Sequence, residues 1–254
     1  MAATLAHEPG PSGGFMLLVD KPMGWTSFDV IHKIRRLFHV KKAGHAGTLD
    51  PLATGLLIVC TGPMTREIGR FMGAEKEYEV TMLLGSRTPS FDAETPVTET
   101  RPTGSLTETG VREALSGFVG PQRQIPPMWS AVKVGGKRLY RYAKRGIEVE
   151  RSPREVTIHA ITPVRIDIPE VTMSVVCSKG TYIRTLVDDC GQLLGCGAYV
   201  SSLRRTRIGP YRIEEASTID DLVAIAQALD GGTLGAERTS SPARNLQEAG
   251  APTE

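Results

Sequence analysis

Asp50 precedes Pro51 inside the string Gly44-His45-Ala46-Gly47-Thr48-Leu49-Asp50-Pro51-Leu52-Ala53-Thr54-Gly55-Leu56-Leu57, and this stretch constrains the chain more than any other. Proline disfavours helical backbone at the residue before it, so Asp50 is expected on an extended loop and not along a helix face. Gly44, Gly47 and Gly55 permit tight turns or a close approach of the backbone to a ligand. An aspartate before proline is ordinarily a solvated turn residue. Here the carboxylate is instead set into glycine-rich, apolar backbone, a setting suited to chemistry.

With 254 residues the chain can bury a sizeable core, and a single domain accommodates that length. Its 40% hydrophobic and 23% charged content excludes a disordered or fibrous class. The longest apolar run, Leu56-Leu57-Ile58-Val59-Cys60, is far shorter than the roughly 20 residues of a spanning helix. Residues Met1 to Gly14 lack the basic and apolar regions of a secretory signal, so a cytoplasmic protein with no membrane partner is expected. Cys60, Cys177, Cys190 and Cys196 have no Cys-x-x-Cys spacing, and His7, His32, His39, His45 and His159 are scattered. Free thiols and no metal site are the expectation.

The formal net charge of +2 identifies no partner, but its distribution is uneven. Lys33, Arg35, Arg36, Lys41 and Lys42 precede the Asp50 string, and residues 123–151 hold eight more cations against only Glu148 and Glu150. Acidic residues gather instead in 92–113 and 214–230. A basic face that tracks phosphates follows, with Trp129, Tyr140 and Tyr142 interleaved as stacking surfaces or core residues.

The pattern predicts a strand at Phe15–Val19 and then a helix capped by Thr26 or Ser27, with Val30, Ile31, Ile34, Leu37 and Phe38 on one side and cations on the other. A strand at Tyr78–Leu84 leads into a polar loop over 85–105. Helical spacing at Val111, Leu115 and Phe118 is expected to end at Gly120-Pro121. A strand and a glycine turn follow over 126–137. Two strands are expected around Val156–Ile166 and Val171–Ser178, then a helix from Thr181 stopped by Gly195, a strand at Tyr199–Arg207, and a short last helix opened by Ser217-Thr218. The expected class is α+β, with a mixed, largely antiparallel sheet flanked by helices and loops.

The Asp50 string resembles the catalytic motif of the TruB family of tRNA pseudouridine synthases. Leu17-Leu18-Val19-Asp20-Lys21-Pro22, Lys76-Glu77-Tyr78-Glu79-Val80, Cys177-Ser178-Lys179-Gly180-Thr181-Tyr182-Ile183-Arg184 and Gly195-Cys196-Gly197-Ala198 through Leu203-Arg204-Arg205 are similar to further family motifs in the same order. The resemblance covers about residues 15–212. It implies the pseudouridine synthase fold, with Asp50 as the essential residue, Tyr78 on the flipped uracil and Arg184 as the cation that keeps Asp50 ionised. His45 is assigned to substrate positioning, Tyr182 to the pocket wall and Leu203 to packing against the base. Lys21 is either electrostatic support for the site or a lysine fixed by its own turn.

The implied substrate is the T-loop uridine at position 55 of tRNA, reached by base flipping, with recognition centred on the T arm. No cofactor is implied, because the reaction is redox-neutral. No obligatory protein partner is expected, and the chain reads as a monomer. Domain organisation is expected as a flexible leader at 1–13, a catalytic domain at 14–231 with a basic RNA-contacting insertion at about 123–151, and a disordered tail at 232–254 with no complete PUA domain. Two other classes stand beside this reading: a non-catalytic RNA-binding or tRNA-folding module, disfavoured by the joint presence of Asp50, Tyr78 and Arg184, and a subunit acting on guide-selected RNA, which would predict docking extensions.

Overall fold

The computed structural model of the protein describes residues 14–236. Strand β1 (Met16–Lys21) leads into helix α1 (Ser27–Leu37), followed by β2 (Ala43–His45) and β3 (Thr54–Thr61). A 3-10 turn and the short helix α2 (Ile68–Gly73) connect to β4 (Lys76–Leu84). The polar loop that follows carries only the two-residue strands β5 (Ser86–Arg87) and β6 (Glu99–Thr100), before α3 (Glu108–Ser116) and β7 (Gly120–Gln124). A small hairpin, β8 (Lys133–Val134) and β9 (Lys137–Arg138), runs directly into α4 (Leu139–Ala143). The second half contains β10 (Arg154–Asp167), β11 (Glu170–Cys177), α5 (Ile183–Leu193), β12 (Ala198–Ile208), β13 (Tyr211–Arg212) and α6 (Ile219–Ala236).

One sheet organises the molecule, in the order β1-β3-β12-β4-β11-β10-β7, with β2 on β3 and β13 on β12. Among the described residues the β3–β12 contact is the one parallel strand pairing in this sheet, so the expected mixed, largely antiparallel α+β sheet is what forms. That parallel contact needs Gly55. At its φ of +100°, a Cβ would lie 2.3 Å from the Arg205 carbonyl oxygen, so any side chain would push the two strands apart.

The two ends of the sheet are buried differently, and the sequence pattern follows. β1 and β3 are covered on both faces. Leu18, Leu56 and Ile58 pack towards Phe71 and Ile208, while Leu17, Val19, Leu57 and Val59 pack against Val30, Ile31 and Ile34 of α1 and Leu222 of α6. A strand buried on both sides reads as an unbroken apolar run, which explains Leu56 to Cys60. β11 instead alternates: Val171, Met173, Val175 and Cys177 are buried and their neighbours half-buried, with Leu186, Val187 and Cys190 of α5 in the same cluster.

Helix α1 is capped as expected, by Thr26 in a capping box with Asp29. Other boundaries differ. Helix α3 ends at Ser116, and Gly120-Pro121 opens the edge strand β7, where proline gives up no ladder bond on its free side. Residues 126–132 are not a strand; the hairpin turns at Gly135 and Gly136, both at positive φ. The last helix is not short. It spans 18 residues to Ala236, so the tail predicted from 232 begins inside it; the rest of that tail and the leader at 1–13 lie outside the described residues. All four cysteines are free and buried. Among the described residues no helix is long and apolar enough to cross a membrane.

Candidate active site

The Asp50 loop is fastened from below by the turn between β1 and α1. Ser27 Oγ accepts from the Leu49 amide at 2.9 Å and donates to the Leu49 carbonyl at 3.2 Å, while the Gly24 amide donates to the Pro51 carbonyl. Lys21 is fully buried, and its Nζ donates to the carbonyls of Pro22, Trp25 and Pro51. Burial pushes this ammonium down to about 8, with Asp50 opposing the shift. Lys21 is thus a clamp and not a substrate contact: three carbonyls occupy its donors, and it is absent from the cavity wall. We expect Lys21→Met to lower stability by about 1–3 kcal/mol, since buried carbonyls lose their partner. The shift in urea midpoint measures this, and an unchanged midpoint would show the clamp to be dispensable.

Arg184 sits in the first turn of α5, where the amide of the preceding Tyr182 donates to Gln124 Oε1 of β7. Its side chain is 3% exposed and fully engaged. Nε is 2.9 Å from Asp50 Oδ2, and Nη1 is 3.5 Å from Asp92 Oδ2. Nη1 also donates to the Ser90 carbonyl at 2.8 Å, and Nη2 to the Trp129 carbonyl at 2.7 Å. The Asp50 side chain keeps 35% of its surface exposed. The pairing expected between Arg184 and Asp50 is thus present, yet the outcome for the carboxyl is not a lowered pKa. Burial pushes it above the ordinary carboxylate value, Arg184 pulls it back, and the nearby Asp92 charge pushes it up again.

The cavity into which Asp50 opens measures about 390 Å³, of a size that takes a small ligand or one extruded nucleotide. Tyr78, Tyr182, Leu203 and Arg184 are all in its wall. Strands β4 and β12 are neighbours, and Tyr78 is the cross-strand partner of Arg205. Arg205 is 1% exposed, with Nε donating to the Leu56 carbonyl at 2.7 Å and Nη2 to the Gly47 carbonyl at 3.1 Å. Burial raises the Tyr78 phenol above its usual pKa, and the Arg205 charge and hydrogen bond oppose this. Burial also raises Tyr182, opposed by Arg154.

Five of the seven expected residues, Asp50, Tyr78, Arg184, Tyr182 and Leu203, thus meet around one cavity. His45 does not. It lies on β2 outside the wall, where burial and then Arg205 lower its pKa. Two important side chains carried no local sequence signal. Asp92 stood in a polar loop rich in similar residues, and Arg205 read as one cation in a motif. Lys76 also enters the wall, its Nζ held by the Met72 and Ala74 carbonyls and pushed down to about 8 by burial. Among the described residues no group of three or more metal-ligating side chains occurs.

A carboxylate held by a buried arginine thus shares one cavity with two tyrosines and an apolar leucine. Residues 35–183 match the family model for the TruB family pseudouridylate synthase N-terminal domain, and 184–237 match the tRNA pseudouridylate synthase B C-terminal domain. The chain belongs to the TruB family. It is 52% identical over 212 residues to the tRNA pseudouridine synthase B of Burkholderia pseudomallei (strain 668), spanning 84% of this chain and 70% of that protein. To the tRNA pseudouridine synthase B of Chlorobium luteolum it is 45% identical over 251 residues, spanning 94% and 86%. Among solved structures, an H/ACA RNP bound to a substrate RNA containing 2'-deoxyuridine aligns with a TM-score of 0.65 at 27% identity, covering 92% of this chain and 64% of that one.

Proposed function

We propose that this protein isomerises the T-loop uridine of tRNA to pseudouridine, with Asp50 as the carboxylate that meets the ribose when the base leaves. The observation that carries this reading is Asp50 itself, opening onto the cavity while Arg184 holds its other side. Breaking the bond between N1 and C1' puts positive character on the sugar, which a fixed carboxylate stabilises. The uracil then turns within the cavity, C5 bonds to C1', the C5 proton departs and N1 takes one up. Nothing is oxidised or reduced, and a carboxylate, a proton-transfer group and an enclosed cavity are all that these steps call for, with no cofactor. Leu203 packs on the base, and Tyr78 stacks on it and supplies a hydroxyl for the proton step.

A target stacked in the folded T arm reaches this cavity only by flipping out. The exposed cations of 133–145, with Arg35, Arg36, Lys41 and Lys42, supply attraction to phosphates on the outside. The chain acts on tRNA in the cytoplasm as a monomer without an obligatory protein partner. Mapping pseudouridine in tRNA transcripts incubated with the purified protein and no additive tests the reading; a T loop left unmodified would overturn it. Tyr78→Phe keeps the ring and loses the hydroxyl. We expect it to bind RNA as wild type does and to lose roughly a hundredfold or more in single-turnover rate, within the range for a proton-transfer group. A rate equal to wild type would leave Tyr78 only its stacking role.

A further inference from the structure

The outer face of α1 is not used by the chemistry above, and it combines exposed aromatic surface with positive charge. Phe28 is 64% exposed and Met23, in the turn before the helix, is 60% exposed. The Phe28 ring meets His32 edge to face, with centroids 4.4 Å apart. Residues 28, 32 and 36 follow one another at helical i, i+4 spacing, so Arg36 continues the same ridge while Val30, Ile31 and Ile34 face the core. A shallow cleft of about 420 Å³ runs beside this ridge, and Trp25, His32, Lys33 and Arg36 are among its walls. The carboxylate in that cleft, Asp29, is committed to the cap: its Oδ2 accepts from both the amide and the hydroxyl of Thr26.

We propose that this face is a second RNA site, a stacking platform for an unpaired base of the tRNA that stays outside the catalytic cavity. The proposal rests on the tRNA reading given above. Charge selects the class of partner: Lys33 and Arg36 flank the rings, which suits a polyanion whose bases offer π-faces. Position supports it as well. Ser27, one residue before Phe28, is hydrogen-bonded to Leu49, and Gly24, one residue after Met23, to Pro51, so the platform is tied directly to the Asp50 loop. A base seated on Phe28 therefore fixes the distance between the RNA and the catalytic carboxylate.

Phe28 points to solvent, so its replacement leaves the fold intact. Phe28→Ala is expected to weaken binding of a full-length tRNA transcript by about tenfold, in the range measured for one stacked base, with the loss in KM and not in kcat. Phe28→Trp is expected to restore affinity, and its added fluorescence to be quenched by that transcript beyond the wild-type response. Replacing T-loop nucleotides singly by abasic residues identifies the base: at the matching position, the abasic substrate and Phe28→Ala together cost no more than either alone. Affinity within twofold of wild type for Phe28→Ala, with no extra quenching in Phe28→Trp, would overturn the proposal while wild-type modification of the T loop left the enzyme reading standing. A wild-type chain that neither binds nor modifies tRNA would overturn both. If Phe28→Ala instead converts a dimer to a monomer in sedimentation, the face belongs to a second copy and the proposal fails.

Discussion

Asp50→Asn is expected to abolish isomerisation, by about 10⁴-fold or more, while tRNA binding stays close to wild type. That rate corresponds to about 5.5 kcal/mol of transition-state stabilisation. The substitution keeps the volume of the side chain and removes only the charge that faces the cavity beside Arg184. Single-turnover assays with a binding titration on the same preparation measure both quantities, and turnover near wild type would remove Asp50 from the mechanism. The pH dependence follows from the same group. Burial raises the Asp50 pKa above the ordinary carboxylate value, so activity should climb with pH through that raised value and fall away on the acid side as the carboxylate is protonated. The sign for stability is opposite. Folding favours the protonated form, so this group's contribution is fully present below the ordinary carboxylate pKa and is lost as pH rises through the raised one. Asp50→Asn should flatten that limb in a series of urea melts.

Arg184 should be nearly as intolerant, for a different reason. Its guanidinium serves Asp50, Asp92 and the carbonyls of Ser90 and Trp129 together. An ammonium has no planar fork to meet four acceptors in these directions, so Arg184→Lys should lose roughly a hundredfold or more in rate, about 2.7 kcal/mol. Arg184→Met goes further and leaves the buried Asp92 without its cation, at a cost of about 3–5 kcal/mol in stability. Chemical denaturation reads the second effect and single-turnover kinetics the first. Wild-type kinetics in Arg184→Lys would mean that charge alone, placed anywhere near Asp50, is sufficient.

Much of this arrangement was legible in the sequence because its signals are local. Proline after Asp50, the Thr26 cap and the strand at Val171–Ser178 each rest on signals that act over a few residues, and each appears where it was expected. What could not be read depends on residues brought together from afar. Asp92 comes to Arg184 across 92 positions of chain, and Arg205 reaches Gly47 across 158. Lys21 shows the limit most clearly: the sequence left open electrostatic support and a lysine fixed by its own turn, and its bonds to Pro22 and Trp25 in the turn and to Pro51 beside Asp50 join the two. Gly120-Pro121 erred the other way, since the same dipeptide that stops a helix also suits an edge strand.

The bond from Arg184 to the Trp129 carbonyl has a consequence for fidelity. Trp129 belongs to the basic segment proposed to face RNA, and the cation it touches is the one that pulls the Asp50 pKa back against burial. Any RNA that draws this segment away takes one acceptor from the guanidinium and alters the balance at the carboxylate. A ligand that settles the segment correctly leaves that balance intact. Discrimination between cognate and non-cognate RNA can therefore be exercised after binding, as a difference in chemical rate between two complexes of equal affinity.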